Sequence, residues 1–102
     1  MILMLRFLVL IVGMSSLLGC TSAPVQEMSD ARQAIAAART AGATDGTSPD
    51  LFAADAAITR AEHHIAAQEY TRARLAAIEA KHHAAIALTN AQHTEAQSSP
   101  PH

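Results

Sequence analysis

The sequence predicts an all-α fold: a helical hairpin over about 50–67 and 70–96, preceded by a helix over about 24–41. Three observations point there. Alanine, the strongest helix former, occurs 24 times from Thr21 onward. Larger apolar residues recur at spacings of three and four, the period of one helical face. The same region has no alternating run of β-branched or aromatic residues, and the whole chain has only one Tyr and two Phe.

The first helix is expected to begin at Pro24, whose missing N–H suits a first helical turn. Met28, Ala31, Ile35 and Ala38 then share one face. Gly42 ends it, because glycine accepts the left-handed cap conformation. Residues 42–49, GATDGTSP, read as a loop. Ser48 caps the second helix, with Pro49 at its first position and Asp50 near the positive end of the helix dipole. Leu51, Ala54, Ile58, Ala61, Ile65 and Gln68 continue the helical stepping, and a tight turn is expected near Gln68-Glu69.

The third helix offers two faces. Ala73, Ala77, Ala80, Ala84, Ala87 and Ala91 form an alanine seam, and small residues let helix backbones approach closely. Leu75, Ile78, His82 and Ile86 form a bulkier stripe beside it. The candidate partner-binding residues are therefore Ala73, Ala77, Ala80 and Ala84 on the seam, with Leu75, Ile78 and Ile86 on the stripe. Residues 97–102 are expected to form a disordered polar tail.

Residues 1–19 read as a secretory signal peptide. Arg6 precedes a mainly apolar run of 12 residues, Phe7 to Leu18. A membrane span needs roughly 20 apolar residues, whereas 7–15 is the usual length of a signal core. Leu17-Leu18-Gly19-Cys20 closes the run and resembles the bacterial lipobox. That resemblance implies cleavage between Gly19 and Cys20, with a diacylglycerol and an N-acyl chain on Cys20. Two or three chains anchor a protein stably, where one does not. Thr21, in place of Asp, resembles the signal that sorts such proteins to the periplasmic face of the outer membrane. Residues 20–23 would then be the anchored N-terminus and linker, and 24–96 the folded domain.

Beyond Cys20 the chain carries six Lys/Arg against nine Asp/Glu, a net charge of −3. Nucleic acid demands clustered positive charge, so it is not an expected partner. The expected partners are the membrane, through the lipid, and a protein or second copy of this chain. With a single Cys there is no internal disulfide to staple so small a domain.

Residues 20–95 resemble small bacterial lipoproteins bearing domain of unknown function 4398. The resemblance rests on Pro24 and Met28 after the lipobox, Ala-Ile-Ala-Ala-Ala at 34–38, Gly42-Ala43 before a Pro-containing loop, and Glu69-Tyr70 with Ala73 at the hairpin turn. It implies an envelope lipoprotein and supplies no activity. Segment 57–80 is also similar to one tetratricopeptide unit, through Ala61, Tyr70, Ala73 and Ala80. Such repeats normally need about three units to stand alone.

The histidines are the suggestive polar feature. Neighbours on a helix point ~100° apart, so neither His63-His64 nor His82-His83 chelates one ion as an i,i+4 pair does. His82 is expected to flank the core, with His63 and His83 solvated, and Glu79 with His83 to form a surface ion pair. No metal site, no catalytic residue, no small-molecule substrate and no cofactor beyond the lipid on Cys20 is expected. The chain lacks a Gly-rich phosphate loop and a paired nucleophile and base. The expected function is a lipid-anchored, non-enzymatic binding or scaffold module. The alternatives are a structural lipoprotein associated with peptidoglycan and, less favoured, a His-based metal-binding protein.

Overall fold

Four helices carry the regular structure of the described residues, 1–15 and 22–98, in a computed structural model. They are α1 (Ile2–Ser15), α2 (Val25–Thr40), α3 (Pro49–Ala66) and α4 (Tyr70–Ser98), with no strand among the described residues. The all-α reading and the hairpin of α3 with α4 stand as expected. Local chemistry explains where each helix stops.

α2 starts one residue later than expected, with Pro24 as its cap rather than its first residue. Its end is a Schellman closure: Ala43 N donates to Ala38 O and Gly42 N to Arg39 O, both at 3.0 Å. Gly42 holds φ +107°, a backbone region that only glycine enters without strain. At the start of α3, Ser48 Oγ accepts from Leu51 N at 3.1 Å, with Pro49 in the first turn. This is the expected cap.

The α3–α4 turn repeats the closure of α2 without a glycine. Glu69 N donates to His64 O at 2.8 Å and Gln68 N to Ile65 O at 2.9 Å, while Gln68 sits at φ 61°. Gln68 is thus a left-handed turn residue and not a member of the α3 face. At the far end, helix continues through Ser98, so Gln97 and Ser98 are helical where the sequence places the start of a polar tail. The rest of that tail, 99–102, lies outside the described residues.

α2, α3 and α4 form an up-down-up bundle. Ion pairs fix its directions: Glu27 and Asp30 meet Arg74 and Lys81, so α2 and α4 run parallel, while Arg32–Glu62 and Arg39–Asp55 set α3 antiparallel to α2. The core takes Met28 and Ile35 from α2, and Leu51 and Ile58 from α3. Every fully buried residue of α4, from Ala73 to Ala87, is alanine. Bulk on two helices meets a smooth surface on the third, which permits close packing.

Each of the three helix interfaces is flanked by two polar contacts, five of the six being Arg/Lys–carboxylate pairs and the sixth a His–carboxylate contact. They are Arg32–Glu62 and Arg39–Asp55, Arg60–Glu79 and Asp50–His83, and Glu27–Arg74 and Asp30–Lys81. A surface pair contributes only ~0.2–1 kcal/mol. Their collective effect is on register, because sliding any one helix breaks four of these six contacts together.

Candidate functional site

The predicted anchor, with lipobox residues Leu17, Leu18, Gly19 and Cys20, lies outside the described residues; its two flanks do not. On one side, α1 exposes its apolar side chains from Ile2 to Val9 and contacts none of the other helices. No described helix is long and apolar enough to cross a membrane. On the other side, the chain is tied down almost at once. Pro24 is fully buried. Arg74, on the second turn of α4, lies 3.1 Å from Glu27 Oε1 through Nε and donates from Nη2 to the Ser22 carbonyl at 3.4 Å.

The two predicted faces of α4 separate. The seam residues Ala73, Ala77, Ala80 and Ala84 are all fully buried, and α2 and α3 pack against the helix that carries them. In this fold the chain's own helices cover these four, so that stretch of the seam presents no open face to another molecule. The stripe divides instead. Leu75 and Ile78 are 63% and 51% exposed, and Ile86 is half-buried.

The histidine assignment is corrected in the same way. His82 is exposed, and His83 is the half-buried one, with Nδ1 3.1 Å from Asp50 Oδ1 and Nε2 4.0 Å from Glu79 Oε1. The cause is a rotation of about one position (~100°) in the face that α4 turns inward, since the alanine seam rather than the stripe sets that face. His63 is exposed as expected, whereas its neighbour His64 faces Glu69 at 3.3 Å. Among the described residues, no three His, Cys, Asp or Glu groups gather as a metal would require.

An open cleft of about 550 Å³ lies between the α2–α3 loop and the last turns of α4. Ala87 and Ala91 line it beside Asn90, Thr94 and Glu95, opposite Gly42 and Ser48. It arises because α4, with 29 residues against 18 in α3, outruns its hairpin partner. A helix-length comparison across 49–66 and 70–98 is the signal that would have found it.

The family model for domain of unknown function 4398 (DUF4398) matches residues 26–100. The chain belongs to that family. The DUF4398 match begins at the second residue of α2 and extends beyond α4. It therefore covers the three-helix bundle and leaves out α1 and the Leu17–Cys20 segment. Neither the curated proteins nor the solved structures contain a match to this DUF4398 chain.

Proposed function

We propose that this protein is a lipid-anchored component of the cell envelope, whose α2–α4 bundle serves as a non-enzymatic binding or scaffolding module. The observation that carries this reading is the placement of Leu17-Leu18-Gly19-Cys20. It closes an apolar run too short to span a bilayer, and only three residues separate Cys20 from the buried cap at Pro24.

Further support comes from α1, whose apolar side chains from Ile2 to Val9 are exposed, as suits the apolar core of a signal peptide. Thr21 favours the outer membrane, facing the periplasm. The bundle keeps its Arg and Lys side chains in contact with carboxylates on its surface, an arrangement suited to a scaffold. Leu75 and Ile78 are the exposed part of the proposed binding surface, and Ile78 is the side chain open to a protein partner or a second copy.

Metabolic labelling with a fatty acid tests the anchor. The wild-type chain should take up label and Cys20→Ser should not, with processing after Gly19 lost in parallel. Label retained in Cys20→Ser would overturn the assignment.

A further inference from the structure

The short connection to the anchor constrains more than location. Between Cys20 and Ser22 there are two residue steps, at most about 7 Å of extended chain. The Ser22 carbonyl is held by Arg74 at 3.4 Å, and the same guanidinium group binds Glu27 at 3.1 Å. Any group attached to Cys20 therefore emerges beside the second turn of α4. Because α2 runs parallel to α4, that end of the bundle also holds the start of α2 and the α3–α4 turn.

We propose that this end is a lipid-contacting surface, with Val25, Tyr70 and Leu75 resting on the headgroup region beside the anchor; the proposal rests on the lipid-anchored reading above. Four large apolar side chains of the bundle are exposed: Val25, Phe52, Leu75 and Ile78. Val25 opens α2, and Leu75 lies one residue from Arg74. Ile78 is one turn further along, and only Phe52 belongs to the opposite end. Tyr70, half-buried at the start of α4, has the apolar body and polar tip that suit a membrane interface.

The bundle then stands on its hairpin turn with α4 pointing away from the bilayer. The cleft at residues 87–95 sits about 20–30 Å along α4 from Arg74, at 1.5 Å per residue, and faces the aqueous side. The partner of the turn end is the lipid surface; Ile78, one turn further along α4, and the opposite end are left for soluble contacts.

The test uses the full chain, expressed with its own leader and reconstituted into vesicles of phosphatidylethanolamine and phosphatidylglycerol carrying a headgroup nitroxide lipid. Thr71→Cys and Gln92→Cys place a fluorophore at two exposed sites of α4, about 31 Å apart along the helix. The acylated Cys20 is a thioether and does not react with the label. Quenching several-fold stronger at 71 than at 92 supports the orientation. Equal quenching, or stronger quenching at 92, in acylated and vesicle-bound protein overturns the orientation and leaves the anchor standing. A chain that neither carries acyl label nor floats with the vesicles overturns the anchor, and the orientation with it.

Discussion

His83 on α4 and Asp50 in the first turn of α3 meet at 3.1 Å, Nδ1 to Oδ1, with both side chains 29% exposed. Asp50 thus serves two ends: it faces the positive terminus of its own helix and ties that terminus to the middle of α4. Replacing Asp50 with Asn weakens the first role and alters the second, each by up to ~1 kcal/mol. A double-mutant cycle of Asp50→Asn and His83→Gln, read by urea denaturation, should return a coupling of about 0.2–1 kcal/mol. Full additivity would mean that the contact contributes nothing.

The two helix-terminating turns make opposite predictions. Gln68 adopts φ 61°, which costs an L-residue roughly 1–2 kcal/mol and glycine very little. The added flexibility of glycine in the unfolded chain offsets part of that, about 0.4–1 kcal/mol. Gln68→Gly should therefore stabilise the bundle by up to about 1 kcal/mol, worth roughly 4–8 °C in Tm. Gly42→Ala should destabilise it by a similar amount. A Cβ at Gly42 meets nothing within 4 Å, so the cost lies in φ +107° alone. Thermal melts of both variants check the pair, and a lower Tm for Gln68→Gly would contradict it.

The contrast between these turns also marks what the sequence makes legible. Gly42 and the Ser48-Pro49 pair announce themselves, because each residue type has one conformational use there. Gln68 carries no such signature; its conformation is imposed by two helices that must reverse direction within a few residues. Helix existence was readable from the spacing of Met28, Ile35, Leu51 and Ile58. The inward face of α4 was half readable. Its buried set is alanine throughout, which gives no hydropathy contrast against the larger Leu75 and Ile78, so the sequence pattern points to His82 where the fold half-buries His83. Cross-helix pairs such as Arg32–Glu62 depend on register between helices, which no local window contains. Only contacts within one helix, such as Glu79 with His83, lie within its reach.

Among the described residues Ser48 is the one buried polar side chain, and its Oγ caps Leu51 N at 3.1 Å. Ser48→Ala removes that acceptor and leaves an amide of the first α3 turn without its partner. The expected cost is about 1 kcal/mol. Ser48→Asp should restore most of it, because a carboxylate caps as well and complements the helix dipole. Circular dichroism melts of the two variants separate capping from simple loss of contact: equal destabilisation by Ala and Asp would sink the capping account.

The last prediction sets the two faces of α4 against each other. Ala80 is fully buried, so Ala80→Leu adds three carbons where helices already touch, and such overpacking costs about 1–3 kcal/mol. Ala85, five residues on, is exposed, and Ala85→Leu should stay within about 0.5 kcal/mol of wild type. The stripe behaves like Ala85 for folding: Leu75→Gln and Ile78→Gln remove side chains that are already 63% and 51% exposed, so stability should hardly move. Their effect belongs to association. If a second copy or another protein uses the stripe, the paired Gln substitutions abolish in-cell crosslinks from the exposed position 82, one turn further along the same stripe, while the melting temperature stays put. Crosslinks that survive both substitutions would remove the stripe as a binding surface. An unchanged melting temperature for Ala80→Leu would show instead that the seam is not where the helices meet.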